Sequence, residues 1–391
     1  MITLLRQTVN SGLQIGQRLV ARLSYQVHTR RPKGRQISWV VGPEEVASMM
    51  VSIANALPNS YSVCLVPHAY YSGPYDYMPK AGFGGWPAQK LREAWEFGRL
   101  ATLAEGFIYV GGNGFLATQH DSRAFEFQFL KERGLKVICY FTGSDIRSLK
   151  VLATVEERVG LPHGASYLPT LSPVFATDSY DNARKDLANT ADEHADLIFT
   201  AAVDQIGYLQ RPTEPFMYFF DGDKVLDSLE KFDNVERPVI VHAASSPIPK
   251  GTQLVRAAVA AMRAEGFDFE YVELLTAPHE EVQRQLARAH IVLNQFYSYV
   301  LGVFGVEALA AGAVVLSSAD EHIETDLPAG SNEAWVVTYH YQVTEHLRRA
   351  LQLTSSELRA QGERGQLWVR QHATAEVSGQ RLRAAVAALL D

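Results

Sequence analysis

Gly302-Val303-Phe304-Gly305-Val306-Glu307-Ala308-Leu309-Ala310-Ala311-Gly312-Ala313-Val314-Val315-Leu316 reads as a glycine loop, a short helix with Glu307 in its first turn, and a buried strand. Glycines at a helix mouth let a ligand approach backbone N–H groups that have no intrahelical partner, and the positive end of the helix dipole favours an anion there. Gly302, Val303, Phe304 and Gly305 are therefore candidate phosphate contacts, and Glu307, one turn inside, is within reach of a ribose hydroxyl. The pattern suits a nucleoside diphosphate, and specifically a nucleotide-sugar, if the remaining chain supplies a matching half-site.

Working outward, the same half of the chain alternates strand and helix. Strands are expected at 238–242, 269–275 and 290–295, with helices at 252–265 and 279–288. The first strand runs into His242-Ala243-Ala244-Ser245-Ser246-Pro247-Ile248-Pro249-Lys250-Gly251-Thr252, which is strand, loop and helix start. Lys250 and Gly251 at that mouth, with Ser245 before them, could neutralise and hydrogen-bond a departing diphosphate. The plainer alternative is a solvated lysine in a turn.

The first half repeats the alternation. Strands are expected at 37–41, 62–66, 107–110, 136–141 and 196–200, and helices at 44–57, 90–104 and 122–133. Strands alternating with helices build parallel, doubly wound sheets, whose ligands sit at the carboxyl ends of the strands. Candidate acceptor or cleft residues therefore follow strand ends: Gly42, Gly112 and Asn113, and the turn Gly143-Ser144-Asp145-Ile146-Arg147. Asp145 and Arg147 either bind polar groups in the cleft or form a salt bridge that fixes the loop. Two Rossmann-like domains are expected, joined near 221–237, with the cleft between them as the site. Helices follow at 342–353, 355–372 and 376–390. The aromatic, glycine-rich stretch 70–86 reads as an acceptor lid, a subunit contact or a plain connection.

Composition sets bounds. The 391 residues, 47% hydrophobic and 20% charged, suit a globular protein large enough for two cores. Cys64 and Cys139 lie in apolar runs and read as buried free thiols; neither a zinc spacing nor a disulfide framework exists. The cysteine pattern fits a reducing compartment, so a cytoplasmic protein is expected, one that could sit peripherally on the inner face of a membrane; no run is long and apolar enough to predict a bilayer span. Residues 1–35 hold Arg6, Arg18, Arg22, Arg30, Arg31, Lys33 and Arg35 and no Asp or Glu. The whole chain is −7, so the body beyond this +7 segment is −14. On a helical wheel Leu5, Val9, Leu13, Leu19, Val20 and Leu23 share one arc, with Gly12 and Gly16 inside it and Ile15 just outside. Such a basic helix lies on an anionic membrane surface, or packs on the protein's own core or on a second subunit. Nucleic-acid binding is disfavoured by the acidic body.

Taken together, the Gly-Ser-Asp-Ile-Arg turn, the His-Ala-x-Ser…Lys-Gly-Thr loop and Gly302-x-x-Gly305-x-Glu307-Ala308-x-Ala310-x-Gly312 resemble the GT-B glycosyltransferases of the large family 4-like group, over most of residues 37–391. The resemblance implies an α/β GT-B fold. Residues 36–222 would form an acceptor domain and 236–372 a nucleotide-sugar domain, with a helix at 373–391 returning to the first. It implies a sugar transfer from a nucleoside-diphosphate sugar to a glycan or lipid-linked acceptor, as in polysaccharide biosynthesis, with retention and without a metal or other cofactor. Lys250 would contact the diphosphate and Glu307 the ribose. Four positions depart from the family: Tyr299 stands where a glutamate is usual and Thr142 where a histidine is. Residues 243–249 lack an arginine, and no proline follows Gly312. His68, His120 and His163 are spare histidines, read as surface or internally satisfied. The departures keep two alternatives open: a non-catalytic GT-B scaffold or glycan-binding partner, and a sugar-nucleotide epimerase.

Overall fold

The computed structural model describes residues 2–30, 36–69, 71, 73–80, 85–116 and 119–390, with side chains from residue 11 onward in the first helix. Six strands form the first sheet: β1 (Ile37–Pro43), β2 (Tyr61–Ser62), β3 (Ala104–Val110), β4 (Lys136–Tyr140), β5 (Leu197–Thr200) and β6 (Glu214–Pro215), in the order β2-β1-β3-β4-β5-β6. Five form the second: β7 (Val239–Ala244), β8 (Glu270–Leu275), β9 (Ile291–Leu293), β10 (Val314–Ser317) and β11 (Val336–Val337), in the order β11-β10-β9-β7-β8. Every pairing is parallel.

Parallel sheets must be covered on both faces, so their strands are apolar throughout. Period-two alternation then divides each strand between two cores. In the first sheet Val40, Phe107, Tyr109 and Val137 enter one core, while Val41, Ile108, Ile138 and Tyr140 enter the other. That second core also takes Met50 and Ile53 of the helix Met49–Ala56, and Leu382 and Val386 of the last helix, Ala375–Leu390. The chain's end thus returns to the first domain, where Arg383 donates to the Ala56 carbonyl at 2.7 Å. The two domains are linked by two neighbouring crossings. Phe220 N–H donates to the Ala373 carbonyl at 2.8 Å, and Ala375 N–H to the Phe220 carbonyl at 2.6 Å.

Strand order reverses between β1 and β3 in the first sheet and between β7 and β9 in the second. A crevice opens at each reversal because successive helices leave to opposite faces. The second-domain crevice therefore lies between the ends of β7 and β9, beside Ser245 and Asn294.

Some expected elements are corrected. The helix expected from 44 starts only at Met49, because Ala47 and Ser48 hold left-handed backbone (φ 51° and 66°). The strand expected at 62–66 is reduced to Tyr61–Ser62, and that at 290–295 to Ile291–Leu293. The expected glycine loop is itself helical: Gly302 begins the helix Gly302–Ala310, so Glu307 falls in its second turn.

The basic N-terminal segment forms the helix Ile2–Arg30. Its expected apolar arc does not form a single packing face. Leu13 is buried, but Leu19 and Leu23 are exposed, while Leu5 and Val9 have side chains outside the described set. The inward face mixes Leu13, Val20 and Tyr25 with small and polar residues. Gln17 donates to the Lys90 carbonyl at 3.1 Å and Ser24 to the Trp95 carbonyl at 2.6 Å. Gly98 admits the close crossing, since a Cβ there would lie 2.2 Å from the Ala21 carbonyl oxygen. Residues 31–35 of this segment, and Tyr70, Ser72 and 81–84 of the aromatic stretch, lie outside the described residues. Cys64 and Cys139 are buried free thiols.

Candidate functional site

Ser245 and Lys250 follow the end of β7, on either side of the prolines that open the short helical turn Pro247–Lys250. Gly251 (φ 70°) ends that turn and starts the helix Thr252–Ala264. This reversal brings Lys250 across the crevice to the end of β9, where its Nζ donates to the Gln295 side-chain oxygen at 2.8 Å. Partial burial in the cleft wall pulls the pKa of the ammonium down to about 8, with the charge of Glu307 opposing that fall.

Facing Lys250 is the first turn of Gly302–Ala310. The Gly302 N–H donates to the Tyr218 hydroxyl at 3.0 Å, and Leu301 offers no side-chain cap. Gly302 is required by its backbone (φ 72°). Gly305 is required by packing, because a Cβ would come within 2.5 Å of Leu301 Cγ and 2.6 Å of Asn294 Nδ2. Both neighbours are fully buried, so Gly305→Ala is expected to cost about 1–3 kcal/mol, read as a lowered thermal midpoint. An unchanged midpoint would mean that the helix can shift away from β9.

Glu307 is buried, and its Oε1 accepts from His279 Nε2 at 2.7 Å. His279 opens the helix His279–Arg288, and on its other side the Tyr71 ring lies 4.7 Å away, centroid to centroid. Tyr71 comes from the first domain, so the aromatic stretch reaches the second-domain side of the cleft. A cavity of about 240 Å³ is bounded by these groups: Ser245, Lys250, Phe304 and Glu307 on one wall, Leu274, Thr276, Ala277 and His279 on another, and His68 and Tyr71 above.

A second cavity, of about 280 Å³, lies on the other side of the glycine turn, between the domains. The first domain contributes Thr142, Gly143, Arg147, His163 and Tyr167; the second contributes Gln295, Tyr297, Ser298, Gly302 and Val303. Gly143 and Arg147 of the expected cleft residues line it; Gly42, Gly112, Asn113, Ser144 and Asp145 do not. Their other contacts explain why. A Cβ on Gly42 would sit 2.3 Å from the Val63 carbonyl, so this glycine serves strand packing. Gly112 packs on the Asp145 side chain, and Asn113 donates to Glu44 at 2.7 Å. Asp145 accepts from the Thr142 N–H at 2.7 Å, and burial raises its pKa to about 6.

Arg147 does not pair with Asp145, as one sequence reading expected; it pairs with Asp204. Asp204 is buried and gathers an interdomain cluster. It accepts from His163 Nε2 at 2.7 Å, Ser298 Oγ at 2.8 Å and the Tyr299 N–H at 3.0 Å. Burial would raise its pKa, but Arg147, His163 and these hydrogen bonds outweigh that and hold it well below the usual carboxylate range. The clasp is reciprocal: Glu324 of the second domain accepts from the N–H groups of Val203 (3.0 Å) and Asp204 (2.6 Å), and Asp326 from Ala202 (3.1 Å). Tyr299 is buried, with its hydroxyl donating to the Leu161 carbonyl at 3.0 Å. His163 is internally satisfied, as read, yet forms part of the cavity wall. The roles of His279, Asp204 and Tyr297 have no local signal in the sequence.

Two Rossmann-like domains facing across a cleft, with a C-terminal helix returning to the first, define the GT-B fold. Solved structures with this architecture resemble the chain. Sucrose-phosphate synthase from Thermosynechococcus elongatus superposes with a TM-score of 0.54 at 14% identity, covering 91% of this chain and 100% of its own. Anabaena HepE, solved in complex with UDP-glucose, gives 0.52 at 9% identity with 91% and 100% covered. A glycosyltransferase from Rickettsia africae gives 0.51 at 9%, with 92% and 100% covered. No family model and no curated protein sequence matches the chain.

Proposed function

We propose that the protein is a glycosyltransferase that moves a sugar from a nucleoside diphosphate to a glycan or lipid-linked acceptor. The observation that carries this reading is the convergence of Lys250, Ser245, Phe304 and Glu307 on one cavity, with Gly302 and Val303 of the same helix's first turn lining the second. A diphosphate at Lys250 would meet an ammonium and the positive end of a helix, the two elements that stabilise a leaving anion. Glu307, oriented by His279, would accept from the ribose, and Leu274–Ala277 would flank the base. The sugar would occupy the second cavity, against the wall formed by Tyr167 and Tyr297, whose rings pack on each other with centroids 6.2 Å apart. The acceptor would arrive from the first-domain side. Charge neutralisation by Lys250 and helix amides is the basis for proposing a reaction without a metal; retention rests on the resemblance to the family 4-like group alone. The UDP-glucose bound to HepE supports this choice of ligand class.

Calorimetry with UDP-, GDP- and ADP-sugars tests the reading, and binding of none of them would overturn it. Binding should also depend on pH with a definite sign. The free protein loses the Lys250 proton as pH rises through about 8, whereas a bound diphosphate retains it. Affinity should therefore fall above that pH, by up to about tenfold per unit for one linked proton. A flat profile from pH 7 to about 10 would separate Lys250 from the diphosphate.

Tyr299 favours a second reading, in which the cleft binds a nucleotide-sugar without turnover. The position usually held by an acidic residue is used here for an interdomain contact. Binding without transfer or hydrolysis, together with a stable complex with another protein, would support it.

A further inference from the structure

We propose that the outward face of the helix Ile2–Arg30 docks the protein on an anionic lipid surface. The inference is independent of the chemistry in the cleft. A helix packed on a globular domain normally turns its apolar stripe inward; this one packs Leu13, Val20 and Tyr25 inward yet leaves a second apolar line outside. Its polar and small residues Gln17, Ala21 and Ser24 are fully buried against the helix Gly85–Leu100. Ile15, Leu19, Leu23 and Val27 recur every fourth residue on the outside, exposed by 61%, 59%, 52% and 43%. They form a continuous apolar line about 18 Å long at 1.5 Å per residue. Arg22 and Arg30 are exposed on the same side of the helix. Trp95 stands at the border, 37% exposed, with its ring edge-on to His28. Aliphatic residues flanked by arginine and tryptophan suit the boundary between acyl chains and headgroups.

Charge selects the occupant. A second copy docking through the same face would bring two +7 segments together. An anionic bilayer presents the opposite sign, attracts the segment, and repels the −14 body, which restricts contact to this helix. No helix among the described residues is long and apolar enough to cross a membrane, so the helix would lie in the plane of the interface.

The test is co-sedimentation of the full chain with phosphatidylcholine vesicles, with and without phosphatidylglycerol. Binding to the anionic vesicles should be at least about tenfold stronger and should weaken with salt. Leu19→Glu with Leu23→Glu should abolish it while leaving the thermal midpoint unchanged, because both side chains are exposed. Arg22→Gln with Arg30→Gln should reduce it by about tenfold or more. Absence of binding, or equal binding to neutral vesicles, overturns the proposal. So does a lipid-independent dimer that the leucine substitutions dissociate, since a second copy would then cover the face.

Discussion

Replacing Lys250 with alanine is expected to lower kcat by about 10²–10³-fold while the fold is retained. The ammonium is the cation nearest the proposed leaving diphosphate, and its present partner, Gln295, is neutral. Negative charge grows on the diphosphate as the glycosidic bond breaks, so the contact is stronger in the transition state than in the ground state. The loss should therefore fall mainly on kcat, with a smaller rise in KM. Lys250→Arg should not restore activity. A guanidinium is wider, and a compact ammonium fits the gap between Gln295 and the Phe304 ring, whose centroid lies 5.6 Å from Nζ. Steady-state kinetics on the three proteins, with circular dichroism as the folding control, decides the matter. Full activity in Lys250→Ala would remove Lys250 from the chemistry.

Asp204→Ala is expected to have the largest effect on stability, about 3–5 kcal/mol. The carboxylate is the counter-charge of buried Arg147 and an acceptor for His163, Ser298 and Tyr299. Truncation leaves a buried guanidinium with no counter-charge, held by its Nε bond to the main-chain carbonyl of residue 204, and an uncompensated buried charge costs much more than the pair it came from. The pH dependence follows from the lowered pKa. The contribution is fully present above the unfolded carboxyl value near 4, and is lost as pH falls from there toward the lower folded value. The denaturant midpoint measured at pH 7 and again below about pH 4 should show a large gap between wild type and variant that narrows in acid. A cost below about 1 kcal/mol at neutral pH would mean that water replaces the lost contacts.

The fold was legible because its cues are periodic. Buried parallel strands appear as apolar runs, and helices such as His279–Arg288 and Ser355–His372 have the bounds their patterns suggest. The placement of Ser245, Lys250 and Gly302 on cavity walls was legible because they follow strands or open helices, where backbone geometry alone directs them into the crevice. First-domain residues were less so. Strand-end glycines look alike in sequence whether they face a ligand or, like Gly42, a neighbouring strand's carbonyl. Arg147 and Asp204 are 57 residues apart, and nothing in their local sequence marks them as partners. The outward leucines of the N-terminal helix escaped for a related reason. Amphipathicity shows that two faces differ, but not which one the protein covers.

The paired crossings at Phe220 and Thr374 constrain how the halves can move. A single linker would allow swivelling in any direction. Two adjacent strands tied by hydrogen bonds at 2.8 and 2.6 Å leave essentially one rotational degree of freedom, about the line that joins them. The carboxylate clasp at 202–204 and 324–326 is built from separate segments. Releasing it would therefore open the cleft along a fixed path rather than let the domains tumble. Each closure would return Tyr71 to His279, and the first-domain wall to the glycine turn, in the same register.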